Sequence, residues 1–92
     1  MSAPISIVIP TLNSARSLPA TLLSLMEGLN AGLICEVIVT DGGSNDATLV
    51  IAEAWGAEII SGATSRGGQL GRGVAASRGE WVMVLHADTI LQ

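Results

Sequence analysis

Two polar clusters in this 92-residue sequence each follow directly after an apolar run. The first cluster is Asp41–Asp46, which follows Val37–Thr40, a run of four β-branched residues. The second is His86–Asp88, which follows the apolar segment Trp81–Leu85. Apolar runs of this kind are typical of strands that are covered on both faces of a parallel sheet. The carboxylates and the imidazole would then lie just beyond the carboxyl edge of the sheet, where open α/β sheets bind ligands.

Two further polar segments, Thr11–Ser14 and Ser61–Arg66, also follow predicted strands. All four clusters are therefore expected at one edge of the sheet, whereas the opposite edge carries mainly turn residues and isolated charges. This arrangement predicts a ligand site whose charged members are Asp41, Asp46, Arg66, His86 and Asp88. The segment Val37–Thr48 alone also fits an ordinary strand–turn–helix connection, so the prediction depends on the four clusters together.

The elements that must position these residues alternate along the chain. Apolar runs predict strands at Ile5–Ile9, Cys35–Thr40, Ala57–Ser61 and Trp81–Leu85. Helical spacing and capping residues predict a first helix from the N-cap Ser17 to Leu29, and further helices at Ala47–Trp55 and Gln69–Ser77. This order predicts an α/β fold with a parallel sheet and right-handed crossovers. Residues 1–92 show no repeat or linker and are predicted to form a single domain.

Several residues of the loops and helices have more than one interpretation. Gly42 and Gly43 allow a sharp turn and a close approach to a ligand. Asp46 either caps the second helix or contacts the ligand, and both roles stay open. The four glycines between residues 67 and 73 resemble a phosphate loop, but they follow the third strand, so close helix packing is favoured. Arg72 and Arg78 are interpreted as solvated surface.

The composition excludes several classes of protein. A hydrophobic content of 49% and a mean hydropathy of +0.57 exclude a disordered chain. The net charge is −4 and the sequence contains no lysine, which excludes a Walker A phosphate loop and argues against a nucleic-acid-binding surface. No G-x-G-x-x-G motif follows the first strand, which argues against a dinucleotide-binding Rossmann domain.

The cellular setting is predicted from what the sequence lacks. Cys35 is the single cysteine, so an internal disulfide is excluded and a reducing compartment is expected. Its thiol is interpreted as a small buried hydrophobe. There is no signal-peptide pattern and no apolar stretch of the ~20 residues that a membrane span needs. A cytoplasmic protein is predicted, with association at a membrane surface left open.

Three motifs together resemble the family 2 nucleotide-sugar glycosyltransferases of the GT-A fold. They are SIVIPTLN at Ser6–Asn13, VIVTDGGSNDAT at Val37–Thr48 and GEWVMVLHADT at Gly79–Thr89. Their order and spacing agree with the family, and the resemblance covers essentially the whole chain. The third motif is similar to a branch in which the Asp-x-Asp motif begins with histidine. The resemblance implies a Rossmann-like nucleotide-binding half with strand order 3-2-1-4 and helices on both faces.

The resemblance also implies roles for individual residues. Pro10, Thr11 and Asn13 would line the nucleoside pocket, and Asp41 would accept a hydrogen bond from an N–H of the base. Gly43 is placed with them in the nucleotide-binding set. A nucleotide-diphosphate sugar is therefore the expected ligand, and no nucleic acid is expected.

At the third motif, the resemblance implies a divalent cation, Mn²⁺ or Mg²⁺, bound by Asp88 and shared with the diphosphate. The cation would neutralise the departing diphosphate. Arg66 would assist at the phosphates through its planar donor fork, and Ala87 is placed in the nucleotide-binding set. His86 replaces the commoner acidic residue, and three roles stay open for it: binding the metal, contacting the ribose or phosphate, or hydrogen-bonding Asp88.

In the family, the acceptor site and the catalytic base lie beyond the equivalent of residue 92. The chain is therefore expected to be the donor-binding half of a transferase and to be inactive alone. The strand Trp81–Leu85 would then have an unpaired apolar edge, which predicts self-association. Two alternatives stay open: a non-catalytic nucleotide-binding subunit that a partner polypeptide completes, and a structural or regulatory α/β module that binds only metal or protein.

Overall fold

The structure is a computed structural model that describes residues 4–87, and in this range it contains four strands and four helices. They are β1 (Ile5–Thr11), α1 (Leu18–Ser24), α2 (Met26–Asn30), β2 (Ile34–Asp41), α3 (Thr48–Trp55), β3 (Glu58–Ser61), α4 (Arg66–Ala76) and β4 (Trp81–Val84). The strands form one parallel sheet in the order β3-β2-β1-β4. The predicted α/β architecture and strand order are confirmed.

Helices cover both faces of the sheet. The odd-numbered side chains of β1 and β2, such as Ile9 and Val39, pack with leucines of α1 and with Ala52 of α3 in one buried core. The even-numbered Val8 and Thr40 face the other way, toward α4. All four of these strand residues are fully buried. The apolar runs of β1 and β2 therefore reflect strands that are covered on both sides, as predicted. The same prediction for Trp81–Leu85 was wrong, because all four residues of β4 are exposed.

β1 extends through Pro10 to Thr11, two residues further than predicted. The odd-numbered residues of β1 form backbone hydrogen bonds toward β2, and the even-numbered residues form them toward β4. Pro10 therefore faces β4, whose pairing with β1 ends at Val8. The N–H that proline lacks is not needed there, so the proline continues the strand instead of ending it.

The first predicted helix is two helices in the structure. Leu25 ends α1 and begins α2, and its N–H donates to the Leu22 carbonyl at 3.0 Å, which tightens the turn. Leucines at helical spacing continue through both helices, so periodicity alone indicated one. Ser17 occupies the predicted N-cap position, but its side chain makes no capping hydrogen bond.

The last helix, α4, begins at Arg66, three residues before the predicted start at Gln69. The Ser65 hydroxyl accepts a hydrogen bond from the Gly68 N–H at 3.2 Å and caps the helix. Low helix propensity made the glycine-rich first turn look like a loop. Every other predicted boundary is within one residue of the observed one, and Gly56 ends α3 with a φ of 99°, as expected.

The opposite edge of the sheet holds a buried carboxylate rather than isolated charges. Glu36 accepts hydrogen bonds from the Ser6 hydroxyl at 2.6 Å and from both the backbone N–H and the Nε of Arg78, the latter at 3.1 Å. The Glu36 side chain is 5% exposed and that of Arg78 is 74% exposed. Arg78 is solvated as expected, but it also anchors the turn between α4 and β4. Cys35 is only half-buried here, so its interpretation as a buried hydrophobe was wrong.

Replacing Glu36 with glutamine is expected to lower the free energy of unfolding at pH 7 by about 1–3 kcal/mol, because charge-assisted hydrogen bonds are lost. Burial alone raises the pKa of Glu36, but the bonds from Ser6 and Arg78 outweigh it and lower the pKa below 4.5. The stability that the carboxylate contributes is thus present above pH 4.5 and is lost as the pH falls through the lowered native value. Urea unfolding from neutral to acidic pH should show the difference between wild type and Glu36→Gln shrinking; a constant difference would contradict this.

Candidate functional site

The carboxyl ends of the three neighbouring strands β1, β2 and β3 meet in register. Thr11 pairs with Asp41, and Asp41 pairs with Ser61. A cavity of about 260 Å³ opens beside them, between the end of β1, α4 and the end of β4. Its walls include Pro10, Thr11, Gln69, Leu70, Val84 and His86. The structure therefore brings three of the predicted site residues together around one cavity.

Asp41 is the last residue of β2 and its side chain is buried, with 1% of the residue exposed. Its carboxylate accepts four hydrogen bonds: Oδ1 from the hydroxyls of Thr11 (2.7 Å) and Ser44 (2.6 Å), and Oδ2 from the backbone N–H groups of Gly43 (3.0 Å) and Ser44 (2.8 Å). Burial alone raises the pKa of Asp41, but the bonds from Ser44, Thr11 and Gly43 outweigh it and lower the pKa below 3.8. Asp41 is therefore ionised at neutral pH and organises its own loop.

The four donors around Asp41 are not equally exchangeable. The N–H groups of Gly43 and Ser44 are fixed by the backbone, whereas the hydroxyls of Thr11 and Ser44 rotate about a single bond. A ligand N–H would reach the carboxylate by taking the place of one of these hydroxyl groups on Oδ1. The Ser44 hydroxyl is part-buried, in contrast to that of Thr11, and is the donor nearer the surface.

The two glycines after Asp41 have different reasons to be glycine. Gly43 has a φ of 101°, a left-handed conformation that side chains rarely adopt, and this turn directs its N–H onto Asp41. A Cβ on Gly42 would lie 3.0 Å from both Gln69 Oε1 and Thr64 Oγ1. Gln69 and Thr64 of the protein itself thus lie close to Gly42, and the Thr64 hydroxyl also donates to the Gly42 carbonyl. The close approach of this backbone to a ligand stays a prediction.

Asn13 ties the loop after β1 to the loop after β2. Its φ is 51°, which asparagine tolerates better than most residues. Its N–H donates to the Ser44 hydroxyl at 2.8 Å, and its Oδ1 accepts from the Asn45 N–H at 2.7 Å. Asn13 therefore braces Ser44, which in turn contacts Asp41.

Asp46 lies one residue before Ala47, the N-cap of α3, and holds the start of the helix. Its Oδ1 accepts from the Thr48 N–H at 2.9 Å and from the Thr48 hydroxyl, and its Oδ2 accepts from the Ala15 N–H at 3.1 Å. These bonds, chiefly the one from the Thr48 hydroxyl, hold the pKa of Asp46 below 3.8. Asp46 is therefore not the N-cap itself, but it accepts from the first N–H of the helix, and a contact between Asp46 and a ligand stays a prediction.

The segment after β4 carries the predicted metal ligands. His86 is exposed at the rim of the cavity, and the Ala87 carbonyl accepts a hydrogen bond from the buried Thr21 hydroxyl of α1. Asp88 and the side chain of Arg66 lie outside the described residues. Within residues 4–87, no group of three or more His, Cys, Asp or Glu is arranged to hold a metal ion. A cation shared with a diphosphate needs only one or two protein ligands, which His86 and Asp88 have the donor atoms to supply.

Two side chains of α4 had functions that the sequence analysis missed. Gln69 is 5% exposed and bonds to both central strands. Arg72, interpreted as solvated, instead lies over Gly62 and donates to the Ala63 carbonyl at 3.0 Å, so that interpretation was wrong. The available signal was that Gln69 lies one helical turn before Gly73, on the side of α4 that faces the sheet.

Comparisons with known proteins identify a family and individual proteins that this chain resembles in sequence. Residues 6–92 match the family model described as "Glycosyl transferase family 2". A "PGL/p-HBAD biosynthesis glycosyltransferase" of Mycobacterium bovis is 39% identical over 99 residues, which cover 99% of this chain and 38% of the relative. A "Glucosyl-3-phosphoglycerate synthase" of Mycolicibacterium paratuberculosis is 35% identical, with 94% of this chain and 29% of the relative covered.

The chain also resembles solved structures in its fold. Glucosyl-3-phosphoglycerate synthase from Mycobacterium tuberculosis in complex with Mn²⁺, UDP and glucosyl-3-phosphoglycerate superposes with a TM-score of 0.82 and 31% identity, covering 92% of this chain and 33% of that one. The same enzyme with Mn²⁺ and UDP-glucose gives a TM-score of 0.84 and 32% identity, covering 96% and 34%. The chain thus spans about a third of the length of the proteins that it matches.

Proposed function

Because the chain belongs to glycosyl transferase family 2, whose model matches residues 6–92, we propose that it binds a nucleotide-diphosphate sugar at the carboxyl edge of its sheet. The observation that carries this proposal is the ionised Asp41, held by Thr11 beside a cavity that opens at the same edge. Solved relatives that contain UDP with Mn²⁺ or Mg²⁺ support a uridine nucleotide and a divalent cation as the ligands. The reaction proposed for the whole protein is transfer of the sugar to an acceptor.

On the nucleoside side, Pro10 and Thr11 form the wall of the pocket and Asp41 accepts a hydrogen bond from an N–H of the base. Two observations support these roles: Pro10 and Thr11 line the cavity, and the Thr11 hydroxyl donates to Asp41. Asn13 and Gly43 hold the loop around the carboxylate, through Ser44 and through the Gly43 N–H respectively. The base would replace a hydroxyl donor on Asp41.

On the diphosphate side, Asp88 and His86 would hold Mn²⁺ or Mg²⁺, with Arg66 and the Ala87 backbone facing the phosphates. The support among the described residues is the position of His86 at the cavity and the bond from Thr21 that fixes the Ala87 carbonyl. When bound, the cation offsets the negative charge that develops on the departing diphosphate.

The 92-residue chain is expected to bind the donor without transferring its sugar. Among residues 4–87, the carboxylates at this edge are Asp41 and Asp46, and both are engaged in hydrogen bonds within the protein. These bonds also lower the pKa of both carboxylates, so neither is suited to take a proton from an acceptor hydroxyl. We propose that residues 1–92 act as one donor-binding domain. Turnover of a nucleotide-sugar by the pure chain would contradict this.

The direct test is calorimetric titration of the chain with UDP, with and without Mn²⁺. UDP is expected to bind in the presence of Mn²⁺. When EDTA removes the metal, the affinity is expected to fall by about tenfold or more, which corresponds to about 1.4 kcal/mol of binding free energy. GDP titrated in parallel tests whether the base is recognised. Val50→Ala serves as the control variant, because Val50 is 69% exposed and lies on α3, on the face of the sheet opposite to α4 and the cavity.

Each outcome separates the candidate functions. Metal-dependent UDP binding supports the donor-binding proposal. Metal-independent binding favours the alternative of a non-catalytic nucleotide-binding subunit. Absence of binding to both UDP and GDP, in a chain whose circular dichroism shows a folded α/β protein, overturns the proposal in favour of a structural or regulatory module.

We further propose that the chain self-associates through β4, with a second copy as the occupant of its edge. In the described range β4 pairs with β1 alone, and its four residues are all exposed, led by Trp81 at 69%. An unpaired apolar strand edge favours pairing with another chain. Light scattering at tens of micromolar should show a dimer, and a monomer there would contradict the proposal.

A proline at Val82 tests whether the strand edge makes this contact. The Trp81 N–H donates to Pro4, just before β1, and the Leu85 N–H donates to Val8 of β1, so the N–H of Val82 points away from β1, toward the free edge. Val82→Pro therefore removes an outward donor and spares the ladder with β1. The variant is expected to be monomeric with an unchanged fold; a dimer as tight as that of the wild type would exclude the β4 edge.

No helix in the part of the chain that the structure describes has the length and apolar character to cross a bilayer. The cytoplasmic location and the association with a membrane surface stay predictions, and fractionation of cells that express the chain would test them.

A further inference from the structure

Gln69 is the buried polar side chain of α4 that reaches the sheet. It is 5% exposed, and its Nε2 donates to the carbonyls of Thr11 at 3.0 Å and Thr40 at 2.8 Å. Its Oε1 accepts from the Ser65 N–H at 3.2 Å. Both amide hydrogens are therefore used to join the carboxyl ends of β1 and β2, while the oxygen holds the segment before α4. An amide carries both donors and an acceptor on one side chain, which these three bonds require.

The residues that Gln69 holds are those that surround Asp41. The Thr11 carbonyl accepts from Gln69 and also from the Gly42 N–H at 2.9 Å, and the Thr11 hydroxyl donates to Asp41 at 2.7 Å. The backbone of Gly42 lies against the Gln69 amide, so closely that a Cβ there would be 3.0 Å from Oε1. Gln69 thus contacts the backbone of Gly42 directly, next to the Gly43 and Ser44 N–H groups that donate to Asp41.

Gly73 explains how α4 comes near enough for Gln69 to make these bonds. A Cβ at Gly73 would overlap the Val8 side chain and lie 3.1 Å from Thr40 Cγ2. Gln69 and Gly73 are four residues apart, so they lie on the same face of the helix. The helix backbone therefore rests directly on the sheet at Gly73, and one turn earlier the amide spans two strand ends.

We propose that Gln69 is a positioning residue for the donor site: its amide fixes the Thr11 and Gly42 backbone so that Asp41 and its loop present one geometry to the nucleotide. This inference rests on the proposed function, because the nucleotide proposed there is the ligand that the Asp41 loop would bind. Gln69 acts through Thr11 and Gly42, since both of its N–H donors are bonded to strand carbonyls and its oxygen accepts from Ser65.

The test uses Gln69→Met, which keeps an unbranched chain of similar length and removes the amide, with Gln69→Asn as a second variant whose shorter side chain keeps the amide. Val74→Ala is the matched control, because Val74 lies on the same helix and is 49% exposed. Two quantities are measured for each folded variant: UDP affinity with Mn²⁺ by calorimetry, and amide hydrogen exchange by NMR without ligand.

Without ligand, the Gly43 and Ser44 amides, which donate to Asp41, are expected to exchange about tenfold faster in Gln69→Met, while the Leu85 amide that bonds to Val8 stays unchanged. UDP affinity is expected to fall about tenfold in the same variant. Val74→Ala should change neither quantity. A general loss of stability would instead speed exchange at Leu85 as well.

The outcomes distinguish this inference from the proposed function. Unchanged exchange at Gly43 and Ser44 in a folded Gln69 variant overturns the positioning role, whatever happens to UDP binding. If the wild-type chain binds no UDP, the proposed function fails, and exchange at these two amides still decides whether Gln69 holds the loop. If Gln69→Met does not fold, the same comparison is made with Gln69→Asn, in which equal exchange rates overturn the role.

Discussion

Asp41→Asn is expected to weaken UDP binding by roughly 10- to 100-fold, the equivalent of one charge-assisted hydrogen bond of about 1.5–3 kcal/mol. An asparagine keeps the shape of the side chain but presents one acceptor oxygen and one NH₂ group where the carboxylate has two oxygens. Its oxygen is expected to face the N–H groups of Gly43 and Ser44, which cannot turn away. The NH₂ group then occupies the Oδ1 position, where the base N–H would have bonded, and repels that N–H.

The same variant should change how the stability of the protein depends on pH. Because hydrogen bonds keep the pKa of Asp41 below 3.8 despite its burial, wild-type Asp41 stays ionised well into the acid range. Its contribution to stability is present above pH 3.8 and is lost as the pH falls through the lowered native pKa. Asp41→Asn removes this contribution at every pH. Urea unfolding from neutral to acidic pH checks this: the difference in stability between wild type and Asp41→Asn should shrink as the pH falls through the lowered pKa, and a constant difference would contradict it.

Ser44→Ala is the matched control for Asp41. It removes one hydroxyl donor from Oδ1 and leaves the carboxylate, so the position proposed for the base N–H is opened rather than blocked. UDP affinity is expected to stay within a few-fold of the wild type or to increase. If Asp41→Asn bound UDP as tightly as the wild type while remaining folded, Asp41 would be an organiser of the loop and would not contact the base.

The sheet could be predicted from the sequence because its physical signals are local. Val37–Thr40 and Trp81–Leu85 are apolar at consecutive positions, and each ends abruptly at a polar cluster. That pattern reports strands and the edge at which they end, without any knowledge of what contacts them. The same reasoning placed Thr11 and Asp41 at one edge, where they are direct neighbours in the sheet.

The connections from Thr11 and from α4 within the site could not be predicted, because they join residues far apart in sequence, whereas the bonds from Gly43 and Ser44 to Asp41 are local. Asp41 was predicted as a group that faces a ligand, yet in the structure its four bonds go to the protein. Gln69 bonds to Thr11, 58 positions away, which no pattern of spacing within a helix or strand can indicate. Arg72 was misjudged for the same reason, since its contact with Gly62 depends on how the preceding loop folds back.

The four glycines of α4 were predicted to serve close packing, and the structure locates that packing at one of them. A Cβ at Gly73 would overlap Val8, which is fully buried and has no open space to move into. Gly71 lies in the same helix, and a Cβ there would have nothing within 4 Å. The two positions therefore share helix propensity and differ in packing alone, which makes them a matched pair.

Gly73→Ala is expected to destabilise the protein, and Gly71→Ala to stabilise it. In both, alanine gains about 0.5–1 kcal/mol of helix propensity over glycine. At Gly73 this gain is exceeded by the overpacking against Val8 and Thr40, typically about 1–3 kcal/mol, and Gly73→Val should cost more because it adds two methyl groups to the same contact. Relief of the overlap requires α4 to move off the sheet, which would draw Gln69 away from the carbonyls of β1 and β2.

Urea unfolding of the three variants measures the order of their free energies of unfolding. UDP affinity should fall together with stability in the Gly73 variants but not in Gly71→Ala. Equal stabilisation by both alanines would mean that α4 does not rest on the sheet at Gly73, and the reach of Gln69 would then need another explanation.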